Sequence, residues 1–166
     1  LVISHSAGDE GMDYRERVLK YAETMDVDVI MAGDIVNHER GTTPDGRKMY
    51  SLHDLYQYAD LVTFPSTFEG FGNAFLEALY YRKPLLVNNY SVYSFDIRTK
   101  GFRTIEIDDF ITDEAVAYTR KVLSDKNLRD KMVDHNYNLA RRYFSFRVLR
   151  QKLNAVVRNL FGESAN

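Results

Sequence analysis

Residues 61–87 read LVTFPSTFEGFGNAFLEALYYRKPLLV, and this stretch decides the fold. It opens and closes with short apolar runs, Leu61–Phe64 and Leu85–Val87, of the kind that is buried on both faces of a parallel sheet. Pro65 and Ser66 end the first run. The residues between the runs suffice for one helix, so the pattern predicts a right-handed strand–helix–strand unit with a parallel strand pair.

The connection after the first run is the leading candidate for a binding site. Ligands of open α/β sheets bind at the carboxyl ends of the strands, where this connection begins. Gly70 and Gly72 lack a Cβ, so the main chain can come close to a ligand there. We expect Asn73 to be the N-cap of the next helix, whose unpaired first N–H groups suit a phosphate.

Two carboxylates, Glu69 and Glu77, flank these glycines. Carboxylates repel phosphate but accept hydrogen bonds from hydroxyls, so the arrangement suggests a ligand with sugars on both sides of a diphosphate. A purely structural interpretation is also open, because a Glu in the first turn can serve the helix dipole and glycines can serve the turn.

Apolar and polar segments alternate along the rest of the chain. Further strands are predicted at residues 1–4, 27–32 and 102–107, with helices between them, while residues 34–49 show no periodicity. Helix starts are predicted at Ser51, with Asp54 completing a weak capping box, at Thr112, at Ser124 or Asp125, and at Ser145. About five strands followed by a helical tail are typical of an α/β fold with a doubly wound parallel sheet.

Composition narrows the possible functions. A chain of 166 residues without cysteine needs no disulfide framework, and its four scattered histidines predict no metal site. The net charge of −2 argues against a nucleic-acid partner, and no apolar run is long enough to span a membrane. We therefore expect a cytoplasmic protein. Since the first residue is Leu1, within a predicted strand, we also expect the chain to start inside a longer protein.

Three pieces of the stretch resemble the signature of the retaining GT-B glycosyltransferases of family 4. They are Pro65-Ser66, Glu69-Gly70-Phe71-Gly72 and Leu76-Glu77-Ala78, with seven residues between the two glutamates. The resemblance covers nearly the whole chain and implies a Rossmann-like half of a GT-B fold. Residues 1–166 would then be a single nucleotide-sugar-binding domain, a fragment without the N-terminal acceptor domain.

The resemblance implies a role for each residue of the turn. Glu69 would accept hydroxyls of the donor sugar, with Gly70 beside it, and Glu77 would hold the ribose. The amides of Phe71, Gly72 and Asn73 would contact sugar and diphosphate. The implied reaction moves a sugar from a nucleotide diphosphate sugar to an acceptor hydroxyl, with retention of configuration and without metal or cofactor. The acceptor, a glycan, glycolipid or small molecule, would bind the missing domain, so the fragment alone is expected to be inactive.

One departure from the family concerns the charge on the diphosphate. The family usually carries an Arg and a Lys in the loop after the first strand, whereas residues 5–10 here read HSAGDE. Arg40, Arg47 and Lys48 are the candidate replacements, against an ordinary role in a solvated loop. The acids of that loop leave two alternatives open: a nucleotide-sugar-binding module without transfer activity, and a GT-B nucleotide-sugar epimerase.

Several other residues are interpreted as structural. Tyr14, Tyr21, Tyr56 and Tyr143 lie on predicted inner stripes of helices and are expected to pack rather than to stack on a ligand. His135 is expected to be a satisfied interface residue. Membrane-surface attachment of the last helices is a minority interpretation, because these helices carry charges of both signs.

Overall fold

The structure, a computed structural model, describes residues 1–4 and 11–162. The chain divides into two compact units, Leu1–Tyr58 and the described residues from Ala59 onward. None of the helices in these described ranges is long and apolar enough to cross a membrane. Residues 5–10, which carry the acids in place of the expected cations, lie outside the described residues.

The N-terminal unit begins with the predicted alternation. Strand β1 (Val2–Ile3) pairs in parallel with β2 (Ile30–Met31), and helix α1 (Gly11–Thr24) lies between them in sequence. The register places Val2 opposite Ile30. The helix and both strands are therefore confirmed.

The segment at residues 34–49 corrects a prediction. Instead of an irregular connection it contains β3 (Val36–Asn37), β4 (Gly41–Thr42) and the first half of β5 (Lys48–Ser51), in the sheet order β3-β5-β4. Strand β5 is parallel to β3 and antiparallel to β4. The strands were missed because runs of two to four residues are too short to show an alternating pattern.

Helix α2 (Leu52–Tyr58) follows β5 directly and starts as predicted. The Asp54 carboxylate accepts hydrogen bonds from the Ser51 N–H and the Ser51 hydroxyl, each at 2.9 Å. These bonds hold the first turn of the helix against the end of the strand.

The C-terminal unit is built on three parallel strands in the order β6-β7-β8: β6 (Val62–Phe64), β7 (Leu85–Asn88) and β8 (Ile105–Ile107). Helix α3 (Asn73–Tyr80) connects β6 to β7, which confirms the strand–helix–strand unit. All residues of the central strand β7 are buried, and its first three, Leu85 to Val87, are the apolar run that predicted it.

Helices complete this unit. A π-helical turn (Tyr93–Ile97) and a 3₁₀ turn (Arg98–Lys100) precede β8 and were not predicted. The predicted helical tail is present as α4 (Asp113–Ser124), α5 (Lys126–Phe144) and α6 (Phe146–Phe161). Parallel strands alternating with helices confirm the α/β, doubly wound fold class.

The core of the unit lies where helices cover the sheet. Phe75, Ala78 and Leu79 of α3 are buried. A second cluster joins strands β7 and β8 to α4 and α5 and consists of Leu86, Ile105, Ile107, Ala115, Val122 and Met132. The buried Asn136 of α5 uses both ends of its amide on one residue, accepting from the Arg103 N–H at 2.8 Å and donating to the Arg103 carbonyl at 2.6 Å.

The residues interpreted as structural give a mixed outcome. Tyr56 is buried, and the His135 ring nitrogen Nε2 lies 2.9 Å from the Gly101 carbonyl oxygen, so both are satisfied as expected. Tyr143 is half-buried. The prediction is wrong for Tyr14 and Tyr21, which are exposed, Tyr21 by 72%.

The helix caps supply a matched pair for a stability test. The Thr112 hydroxyl caps α4 by accepting from the Ala115 N–H at 3.2 Å, whereas Ser145 before α6 makes no side-chain cap bond. We expect Thr112→Ala to lower the free energy of unfolding by about 1 kcal/mol, because the cap bond is lost. Ser145→Ala should cost clearly less. Urea unfolding of both variants checks this, and equal losses would contradict it.

Candidate functional site

The candidate site is the turn between β6 and α3, at the carboxyl end of the parallel strands. The structure places Glu69 to Asn73 on this turn and Glu77 one helical turn inside α3. The ends of β7 and β8 lie at the same edge because the three strands are parallel and adjacent in one sheet. Six of the predicted site residues, which are also neighbours in sequence, therefore lie at this edge of the sheet.

Gly72, rather than the predicted Asn73, is the N-cap of α3. Its backbone has φ 85° and ψ 88°, and Asn73 is already the first helical residue. A Cβ on Gly72 would lie 2.7 Å from Cζ of Phe64 and 3.3 Å from the hydroxyl oxygen of Tyr90. Positive φ and the close Phe64 ring together require glycine here, which explains why the cap lies one residue earlier than predicted.

The glycine cap leaves a group of N–H donors unused. Gly72 makes no side-chain cap bond, and its carbonyl accepts from the Phe75 N–H at 3.1 Å. In the described part of the chain, the amides of residues 71–74 donate to no acceptor. Consecutive unpaired amides at the positive end of a helix form a site suited to an anion such as a phosphate group.

A tyrosine that sequence reasoning missed supports the turn from the protein interior. The buried Tyr90 hydroxyl donates to the Phe71 carbonyl at 2.9 Å, and its ring packs edge-on against Phe64 with centroids 5.8 Å apart. Burial, and then the negative charge of Glu69, raises the pKa of Tyr90 to about 12. The hydroxyl therefore keeps its proton, and its role as a donor, throughout the neutral range.

The side chain of Phe71 is held separately. Its ring packs edge-on against Phe144, the last residue of α5, with centroids 5.0 Å apart. Phe144 in turn stacks on Phe102 at 5.9 Å. Main chain and side chain of Phe71 are thus anchored by two different elements, the segment after β7 and the end of α5.

Asn88, at the end of β7, links the loops that follow the three strands. Its Nδ2 donates to the Ser66 carbonyl at 3.3 Å and to the Asp109 carboxylate at 3.1 Å. Its Oδ1 accepts from the Asp109 N–H at 2.8 Å. The available sequence signal for Asn88 and Tyr90 was the change from apolar to polar residues at the carboxyl end of a buried strand.

The two glutamates are both half-buried and act on different tyrosines. The charge of Glu69 acts on Tyr90. Burial, then the neighbouring Tyr80, and then Glu77 raise the pKa of Tyr81. Glu69 precedes the unpaired amides and Glu77 lies one turn inside α3, so the two carboxylates can accept hydroxyls from different parts of one ligand.

The three candidate cations all have partners within the N-terminal unit. Arg40 forms a bidentate ion pair with Asp54, and this hydrogen bonding holds the pKa of Asp54 well below its usual range. Arg47 Nε donates to Asp45 at 2.7 Å. Lys48 Nζ lies 4.8 Å from the centroid of the Tyr50 ring. Their proposed role at a diphosphate stays a prediction.

The residues described by the structure offer no cluster of three or more His, Asp or Glu side chains that could hold a metal ion. The turn offers a ligand hydrogen-bond donors from the main chain and acceptors from Glu69 and Glu77. The chemistry supported by this arrangement is the binding of a hydroxylated phosphate compound.

Known proteins are similar to this chain in sequence and in fold. The chain is 39% identical over 101 residues to mannosylglucosylglycerate synthase of Petrotoga mobilis, covering 59% of this chain and 22% of that protein. It is 30% identical over 162 residues to mannosylglucosylglycerate synthase of Thermotoga maritima, covering 89% of this chain and 36% of that protein. The matches thus span about a third or less of the length of these relatives.

Two solved structures resemble the fold. One is the C-terminal domain of a glycosyl transferase group 1 family protein from Francisella tularensis, with TM-score 0.64, 17% identity and coverage of 87% of this chain and 69% of that chain. The other is sucrose-phosphate synthase from Thermosynechococcus elongatus, with TM-score 0.66, 15% identity and coverage of 99% and 38%. Residues 44–139 match the family described as glycosyl transferases group 1. The chain belongs to this family of GT-B glycosyltransferases, as its glutamate signature indicated.

Proposed function

We propose that the chain is the donor-binding half of a retaining, metal-independent glycosyltransferase that takes its sugar from a nucleotide diphosphate sugar. The observation that carries the proposal is the run of unpaired amides at residues 71–74, flanked by Glu69 and Glu77. Family membership supports sugar transfer, and the amides supply the donors that a diphosphate needs.

Each part of the turn has one task in this proposal. The amides of Phe71, Gly72 and Asn73 bind the diphosphate, Glu69 accepts hydroxyls of the sugar, with Gly70 leaving the approach to it open, and Glu77 accepts hydroxyls of the ribose. When the acceptor hydroxyl attacks the anomeric carbon on the face that the diphosphate leaves, the bond to the diphosphate oxygen breaks, negative charge grows on the leaving group, and the departing oxygen takes the proton of the hydroxyl. Unpaired amides at a helix N-terminus stabilise that charge without having to reorganise.

The remaining parts of the reaction lie outside the turn. We propose that the acceptor binds an N-terminal domain that this chain does not include, as the partial coverage of the relatives suggests. Arg40, Arg47 and Lys48 remain the candidates for neutralising the diphosphate. A binding role for one of them requires that it exchange its present partner for the ligand.

The two relatives suggest the product. Both are named mannosylglucosylglycerate synthase. We propose that the enzyme containing this chain likewise transfers a mannosyl group, with a glycerate glycoside as product. Assay of the full-length enzyme with mannose and glucose conjugates of GDP, UDP and ADP, followed by identification of the product, tests this. Transfer confined to a sugar other than mannose would overturn it.

Titration of the 166-residue chain with UDP, GDP, ADP and their sugars tests the donor site. We expect one nucleotide to bind. Glu77→Ala should raise the Kd of the nucleoside diphosphate by about tenfold or more, because a charge-assisted hydrogen bond is lost. Glu69→Ala should lower the affinity for the nucleotide sugar and leave the affinity for the nucleoside diphosphate without sugar unchanged.

Glu114→Ala, at an exposed carboxylate in the first turn of α4, is the matched control and should bind like the wild type. Failure of all three nucleotides to bind at millimolar concentration would refute the donor site. Wild-type diphosphate affinity in Glu77→Ala would refute the role assigned to Glu77 alone.

A further inference from the structure

Tyr90 is hydrogen-bonded to the peptide between Phe71 and Gly72. Its hydroxyl donates to the Phe71 carbonyl at 2.9 Å from a buried position. That peptide is trans, so its C=O and N–H point in opposite directions. Because the carbonyl is held towards Tyr90, the Gly72 N–H is directed away from Tyr90.

The peptide needs such a restraint because of the residue that follows it. Gly72 has φ 85°, and glycine populates positive and negative φ about equally well. Rotation of the peptide by half a turn would exchange the directions of its carbonyl and its N–H. In the flipped form an oxygen would replace a donor in the group of unpaired amides. The ring of Phe64 restricts the space beside Gly72, but it makes no hydrogen bond that distinguishes the two orientations.

We propose that Tyr90 is a positioning residue for the diphosphate: through its hydrogen bond to the Phe71 carbonyl it holds the Gly72 amide in the orientation that binds the ligand. The inference rests on the proposed donor site and assigns a function to a residue outside the turn itself. Tyr90 does not touch the ligand in this role. Its effect is confined to groups bound by the turn.

The protonation state of Tyr90 fits this role. Burial and the nearby charge of Glu69 raise its pKa, so the hydroxyl remains a neutral donor under physiological conditions. A neutral hydroxyl adds no repulsion to an anionic ligand, whereas an ionised phenol at this place would repel the diphosphate and could not donate to the carbonyl.

Tyr93 provides a closely matched control. It is also a buried tyrosine after β7, and its hydroxyl lies 2.6 Å from Oγ1 of Thr104 and donates to Glu106 at 3.0 Å. None of these partners belongs to the turn. Tyr93→Phe therefore removes a buried hydroxyl of the same kind without releasing the Phe71 carbonyl.

The experiment compares Tyr90→Phe, Tyr93→Phe and wild type by NMR titration of the full 166-residue chain. The ligands are the nucleoside diphosphate that binds the wild type and its nucleoside, which has no phosphate. We expect Tyr90→Phe to raise the Kd of the nucleoside diphosphate by about tenfold, the value of one lost hydrogen bond, and to change the Kd of the nucleoside much less. Tyr93→Phe should leave the Kd values of both ligands within about twofold of the wild-type values, since the hydrogen bonds that it removes lie outside the turn.

Each other outcome contradicts a specific claim. Wild-type diphosphate affinity in Tyr90→Phe would overturn the positioning role while the donor site stands. An equal loss for both ligands, or the same loss in Tyr93→Phe, would show a general structural effect and also overturn it. If the wild type binds no nucleoside diphosphate, the proposed donor site is refuted and the role of Tyr90 with it.

Discussion

Replacing Gly72 with alanine is expected to destabilise the chain by about 2–5 kcal/mol and to abolish measurable binding of the nucleotide diphosphate. Two effects add. A residue with a Cβ is strained at φ 85°, and the new methyl group would lie 2.7 Å from the ring of Phe64. Relief requires Phe64 or the turn to move, and Phe64 is buried at the end of β6. Either movement displaces the Gly72 amide from its position.

Gly70 supplies the control, since it lies in the same turn without positive φ, and a Cβ added to it would have nothing within 4 Å. The free energy of unfolding of Gly70→Ala should lie within about 1 kcal/mol of the wild-type value, as is usual for substitutions at exposed positions. Chemical denaturation of both variants, followed by titration with the nucleotide, measures the two effects. A Gly72→Ala variant as stable as Gly70→Ala would show that the turn does not need glycine at its helix cap.

Asn88→Ala is expected to be the second severe substitution, with a loss of about 2–4 kcal/mol in the free energy of unfolding. Asn88 is 2% exposed and joins the Ser66 carbonyl to the Asp109 main chain and carboxylate. Alanine leaves the Ser66 carbonyl and the Asp109 N–H without this partner at the end of a buried strand. Since the Ser66 loop leads into the turn, nucleotide affinity should fall as well.

The neighbouring Asn89 separates this effect from a general sensitivity of the strand end. Its Oδ1 is buried and accepts no hydrogen bond in the described part of the chain. Asn89→Ala removes an unsatisfied acceptor, so it should cost less than about 1 kcal/mol. Urea unfolding of the two single variants measures the difference. Equal losses would mean that the hydrogen bonds of Asn88 contribute little.

Local sequence was enough to predict the elements whose signals are local. Continuous apolar runs predicted β6 and β7, and Thr112 and Asp125 marked the starts of α4 and α5 through cap bonds that the structure contains. The glutamate signature led to the family. Strands of two residues, as in β3 and β4, carry no such signal, because alternation cannot be recognised in so few positions.

The support of the candidate site could not be predicted because it depends on contacts between distant parts of the chain. Asn73 is the better cap by propensity, but the Phe64 ring selects glycine at the preceding position. Tyr90, 19 residues along the chain, is hydrogen-bonded to the Phe71 carbonyl, and Phe144, at the end of α5, packs against the Phe71 ring. Tyr21 shows that a local pattern can also mislead. Helical periodicity predicted its side chain on the inner face of the helix, whereas it is exposed.

The glycine at the start of α3 has a consequence for how ligand affinity relates to folding. A Ser, Asp or Asn at this position would place its own oxygen on the first amides of the helix, and Gly72 has no side chain to do so. In the unliganded chain, α3 is an unfinished helix. A bound diphosphate would complete it from outside, so that the anion acts as the missing cap. Binding of the ligand and completion of the helix would then be the same event. The tighter the diphosphate binds, the more its presence should raise the free energy of unfolding.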